Sequence, residues 1–196
     1  MRRNLPLRIG VAAVLLVLAL TGMVAREGYA RATGVEAVLA TAPVDPRNLL
    51  TGHYVALNLV DKLPPGVACP KSPIEGESWI ALRPHEGRHR VVGAGPTREA
   101  ALRTGGLAVR GTVICQNPQP DRIDPAVLGP PSATLEIGVT RFHADQTEAL
   151  AIEDVVGDRA AAGPPRPFAI VSVGTDGRAR LKGMLIDGRR VELDWF

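Results

Sequence analysis

The run IGVAAVLLVLALTGMVA, from Ile9 to Ala25, carries no charged residue and constrains this chain more than any other stretch. It sits at the short end of the roughly 17–25 apolar residues that cross a bilayer as a helix. Arg2, Arg3 and Arg8 precede it, and the positive-inside tendency keeps such a flank in the cytoplasm. The expected organisation is a basic cytoplasmic N-terminus over 1–8, a transmembrane anchor over 9–25, a juxtamembrane segment over 26–34 and an exported domain over 35–196. This is the layout of a single-pass membrane protein with an exported domain. A cleavable signal peptide is the rival, since Gly28-Tyr29-Ala30 loosely fits a small-x-small cleavage site. The apolar run exceeds a usual signal core of roughly 7–15 residues, and Arg26 and Glu27 crowd a cut near its end. A retained anchor is the favoured reading.

Charge has to be divided at that run. Three of the 23 basic residues lie before it and no acidic residue does, which leaves 20 basic against 20 acidic residues in the remainder. The excess positive charge belongs to topology. A nucleic-acid partner is not expected, because such binders carry a basic patch on the folded domain. Residues 26–196 suffice for a sizeable core. The two cysteines, Cys69 and Cys115, leave two alternatives, one bridge in an oxidising compartment or two buried thiols.

Beyond Gly34 the apolar pattern has period two. Leu135, Ile137 and Val139 alternate with Thr134, Glu136 and Thr140; Leu181 and Leu185 face away from Arg180 and Lys182; Val191, Leu193 and Trp195 alternate with Arg190, Glu192 and Asp194. Such alternation marks antiparallel sheet wet on one face. Asp176-Gly177 and Asp187-Gly188 are hairpin signals. They predict a meander over Phe168–Val173, Arg178–Ile186 and Arg189–Trp195. Further strands are expected over Val35–Thr41, Tyr54–Val60, Ser78–Arg83, Arg88–Val92, Leu107–Cys115 and Ala133–Phe142, with a short helix over Thr147–Val156. Short strands among proline- and glycine-rich loops make the fold mainly β, an antiparallel β-barrel or sandwich-like domain behind one transmembrane helix.

Tests for chemistry return little. His85 and His89 flank Glu86-Gly87 in RPHEGRHR, a hairpin turn where the four-residue spacing loses its helical meaning as a metal pair. No Gly-x-Ser-x-Gly elbow and no phosphate loop occurs. Asp121 with Asp124 and Glu153 with Asp154 read as solvated carboxylates. No metal and no cofactor is expected, and a catalytic role is the less favoured reading.

The stretch PVDPRNLLTGHYVALNL, Pro43–Leu59, is the exception to that blandness. Asp45 suits a helix N-cap, Pro46 the first helical position and Gly52 the release from a short helical turn. Local capping accounts for all but Arg47, His53 and Tyr54, which are the candidates for a ligand or partner. The stretch resembles the signature of the bacterial GDYXXLXY family through Gly52, Tyr54 and Leu57, with His53 in place of the Asp and Leu59 in place of the final Tyr. Asp45, Pro46 and Arg47 belong to the same signature. LAVRGTVI, LEIGVTRFHAD and DGRARLKGMLIDGRR extend the resemblance over most of the chain.

The resemblance implies one anchor, an extracytoplasmic β-rich domain, no established activity and a multi-pass membrane protein as partner. The approach to Tyr54-Val55 is also similar to β-barrel serine-lysine signal peptidases. Those enzymes need a serine before the strand, and Thr41, Ala42 and Pro43 stand there instead. The functional expectation is a non-enzymatic accessory or binding domain. A small-ligand-binding or hydrolytic envelope protein with a site near Arg47, His53 and Tyr54 is the alternative.

Overall fold

The computed structural model describes residues 5–42, 54–64, 67–73, 78–116, 130–143, 167–186 and 188–192. A single apolar helix, α1 (Leu5–Thr33), leads the chain. From Leu7 to Tyr29 its residues are exposed, Leu15 and Leu18 among them at 61% and 62%, which no water-soluble helix tolerates over such a length. Residues 7–33 are long and apolar enough to cross a membrane, as an anchor or a signal sequence. The helix ends where Gly34 donates its N–H to Ala30 O at 3.2 Å.

Beyond α1 the described residues form twelve strands: β1 (Val35–Ala40), β2 (Tyr54–Ala56), β3 (Val60–Lys62), β4 (Trp79–His85), β5 (Arg88–Gly95), β6 (Leu107–Arg110), β7 (Thr112–Gln116), β8 (Ser132–Glu136), β9 (Arg141–His143), β10 (Phe168–Val173), β11 (Ala179–Ile186) and β12 (Arg189–Glu192). All pairings among them are antiparallel. They form sheets ordered β1-β10-β11-β12, β3-β8-β7, β5-β4-β6 and a β2-β9 pair. The arrangement is sandwich-like, and among the described residues no barrel closes. One apolar core joins the three larger sheets, with Leu39, Leu59, Ile80, Leu82, Val109, Leu135 and Val171 at its centre.

The predicted C-terminal meander is present, extended on its far side by β1, whose Val35 pairs with Val173 and Ala40 with Phe168. At its first turn Gly177 donates to Gly174 O, and Asp176 Oδ1 accepts from Arg178 N–H. The β4–β5 hairpin turns through Glu86 and Gly87, both at positive φ, as a two-residue turn requires to match strand twist.

Three expected strands are each divided. Tyr54–Val60 becomes β2 and β3 because its partners change: Leu57 N–H goes to Thr140 O, Leu59 O accepts from Leu135, and Asn58 O accepts from Ala42. Leu107–Cys115 breaks at Gly111, whose N–H is taken by Ser78 O. Ala133–Phe142 breaks around Gly138, at φ 80. The expected helix over 147–156 and the capped turn over 45–52 lie outside the described residues.

A second helix, α2 (Arg98–Gly105), falls where the period-two reading assigns nothing. Thr97 caps it, its hydroxyl accepting from Ala100 N–H, and Gly106 in the left-handed region ends it. α2 lies on the β5-β4-β6 sheet, where Trp79, Ala81, Ala101 and Ala108 make a second small core. That cover explains why β4 is buried on both faces over Trp79–Leu82 rather than alternating.

Candidate functional site

Among the described residues, buried and half-buried charges gather where α1 meets the meander. Of the sequence-derived candidates, Asp45, Pro46, Arg47, Gly52 and His53 lie outside the described residues. Tyr54 opens β2, its backbone paired with His143 of β9, and Leu57 is buried in the main core. The structure therefore gives Leu57 a packing role and Tyr54 a place in a strand pair. Cys69 and Cys115 are joined as a disulfide with a Cα–Cα distance of 5.9 Å. Among the described residues no three of His, Cys, Asp and Glu gather as a metal set. His89 is used structurally, since its Nδ1 accepts the Val38 N–H at 3.2 Å and ties β5 to β1. Nearby, the buried Asp61 accepts the Val91 N–H at 2.9 Å and ties β3 to β5. Burial pushes the Asp61 pKa up, against the Val91 bond and the positive charge of Arg90.

His89 carries a pH prediction. Burial lowers its pKa below the ordinary 6.5, so the unfolded chain binds the proton more readily than the folded one. Its stabilising contribution is complete above pH 6.5 and is lost as the pH falls below that value. Protonation of Nδ1 would also orphan the Val38 N–H. His89→Gln, whose amide oxygen can still accept, is expected to flatten the loss of stability between pH 7 and 5 in denaturant titrations. An unchanged slope would assign that loss to other groups.

The junction is built from strand irregularity. Val171 pairs with Leu181 and Ile170 with Gly183, so Lys182 is an extra residue in β11. A bulged residue leaves the ladder, and the Lys182 carbonyl accepts instead from Arg31 Nη2 of α1 at 3.1 Å. One strand over, fully buried Ser172 donates its hydroxyl to Ala30 O at 3.3 Å. Gly34 permits this approach, because a Cβ there would stand 2.2 Å from Ser172 Oγ and 2.8 Å from Val173 O.

Arg180 closes the contact. Its guanidinium, with the side chain only 10% exposed, is shared by Glu27 on α1 and Asp176 in the β10–β11 turn. Nη2 reaches Glu27 Oε2 and Asp176 Oδ2 at 3.0 Å each. Hydrogen bonds donated first to Asp176 and then to Glu27 raise the Arg180 pKa, and Arg180 holds Asp176 down to about 2. Beside this lies a second cluster. Glu36 binds Arg190 at 3.0 Å and Lys182, which hold its carboxyl at about 2. Sequence reading placed Arg180 and Lys182 on a solvated strand face. Both instead meet acidic partners near α1, which no local signal in the sequence marks.

Replacing Arg180 with methionine leaves Glu27 and Asp176 facing each other without a cation. We expect a loss of about 1–3 kcal/mol, moderated by the exposure of Glu27. Amide exchange over Tyr29–Gly34 should quicken, and unchanged exchange there would mean that Arg180 does not hold the helix.

A cavity of about 470 Å³ opens against this junction. Arg26 and Tyr29 come from α1, Arg98 and Leu102 from α2, and Asp176 and Arg180 from the meander. Three arginines thus face one carboxylate within a partly apolar hollow.

These features define the class: a β-rich, sandwich-like domain fixed to the end of one long apolar helix. The chain belongs to the GDYXXLXY protein family, whose model matches residues 16–184. No curated protein and no solved structure matches it.

Proposed function

We propose that this protein is a non-enzymatic accessory domain, retained at the bacterial inner membrane by α1 and displayed in the periplasm, where it engages a multi-pass membrane protein. The observation that carries the reading is the bolted junction. Arg180–Glu27, Arg31–Lys182 and Ser172–Ala30 fasten the last two turns of the helix to the sheet. A domain on a floppy tether samples all orientations, whereas one locked to its anchor presents a constant face to neighbours in the same membrane. The same bonds favour a retained helix over a cleaved one, because cleavage after Ala30 would strip Arg180 of its Glu27 partner and Ser172 of its Ala30 acceptor. The disulfide agrees with export, since bridges persist in oxidising compartments.

Photo-crosslinking from exposed positions of β12 and α2 in intact native membranes should trap one membrane protein at stoichiometric yield. A chain that remains a lone monomer at native abundance would remove the basis of the proposal.

A further inference from the structure

We infer that the junction cavity is a seat for the phosphodiester headgroup of an anionic phospholipid in the outer leaflet of the anchoring membrane. The inference rests on the reading of α1 as a retained anchor. The position comes first. The apolar run ends at Ala25 and the cavity wall begins at Arg26. A bilayer of about 30 Å hydrocarbon and 40–45 Å total leaves a headgroup layer of roughly 5–7 Å on each side. At about 1.5 Å per residue, Arg26 to Tyr29 traverses that layer. Tyr29, 71% exposed, is the aromatic residue type found at this level.

The chemistry comes second. Arg180 is consumed by its two carboxylates, but Arg26 and Arg98 make no ion pair among the described residues. Arg98 occupies the first position of α2, where a cation opposes the helix dipole. An anion between Arg26 and Arg98 would offset both features. The guanidinium fork suits phosphate oxygens in pairs. Tyr29 and Leu102 offer an apolar wall along which the glycerol and the first acyl carbons can lie. A soluble phosphate would use the arginines and leave that wall bare, so the lipid is the occupant we assign.

The full chain is reconstituted in nanodiscs of phosphatidylcholine with a minority of phosphatidylglycerol, and lipids that stay with the released protein are quantified by native mass spectrometry. Phosphatidylglycerol should be enriched at least about fivefold over the disc, the preference one arginine supplies at an anionic surface. R26Q/R98Q should bring the ratio to that of the disc, while R103Q, on exposed α2 surface outside the cavity, should keep the enrichment. A folded wild type with disc composition, or enrichment that survives in R26Q/R98Q, overturns the lipid seat and leaves the anchor reading intact. Displacement of the lipid by glycerol phosphate, with the same arginine dependence, overturns it in favour of a soluble phosphate ligand. Recovery of a soluble chain lacking α1 overturns the seat and the anchor together.

Discussion

Serine at both Cys69 and Cys115 is expected to remove about 2–4 kcal/mol of stability. The bridge spans 46 residues, and closing a loop of that length restricts the unfolded chain by about 4 kcal/mol in the loop-entropy account. The enclosed segment contains β4, β5, α2, β6 and nearly all of β7, so the bridge encircles a whole sheet and its covering helix. Cys69 itself lies in a stretch without regular structure. The neighbouring tether is Ser72 Oγ, which accepts the Val113 N–H at 2.7 Å. One hydrogen bond contributes about 1 kcal/mol net and cannot substitute for the crosslink. For a chain of this size about 3 kcal/mol corresponds to roughly 6–12 °C in midpoint. C69S/C115S and the reduced wild type should melt together, both below the oxidised protein. A reduced wild type that melts with the oxidised form would show that the loop is already confined by its packing.

The parts of this fold that were legible in the sequence are those in which one face of a strand meets water. The meander alternates because β11 and β12 have a wet side, and its turns carry Gly177 and Gly188 at positive φ, so hairpin chemistry and periodicity agree. Where both faces are covered the alternation vanishes. β4 opens with WIAL and β10 continues as AIVSV, and the residues of both runs are buried. Of their covers, α2 falls where the period-two pattern assigns nothing, and the end of α1, expected as a juxtamembrane segment over 26–34, gives no sign in the sequence that it meets β10. A continuous apolar run does announce a second layer, but it does not say which segment supplies it.

The junction was hidden for a related reason. Arg180 and Lys182 occupy polar positions of an amphipathic strand, and nothing local separates a guanidinium facing water from one facing Glu27, 153 residues away. The bulge at Lys182 compounds this, because it shifts the register; Gly183 beside it is the one local mark, and a strand glycine suggests a bulge without saying what the displaced residue meets. Family signature residues fared differently. Leu57 was recognisable and has a packing reason, whereas His53 and Arg47 keep their standing as candidates on sequence grounds alone.

Gly105→Ala should cost about 3 kcal/mol, with a sign opposite to that expected from helix propensity. Gly105 lies within α2, where alanine ordinarily gains about 0.5–1 kcal/mol over glycine. Here a Cβ would stand 2.6 Å from Leu82 O and 2.7 Å from Leu82 N. Those are backbone atoms of β4, paired on both sides and unable to retreat. The helix must lift instead, and the packing of Ala101 on Trp79, Ala81 and Ala108 goes with it. Overpacking of this kind reaches about 3 kcal/mol when the obstruction is rigid. Gly106→Ala is the matched control. That position has open space but φ +90, so only backbone strain of about 1–2 kcal/mol applies. If steric contact with β4 governs, Gly105→Ala is the more damaging of the pair in denaturant titrations; the reverse order would place the constraint in the helix cap. The effect should also reach the junction, because α2 carries Arg98 and Leu102 into the cavity wall. A glycine in close approach to Leu82 therefore also holds Arg98 and Leu102 in the cavity wall.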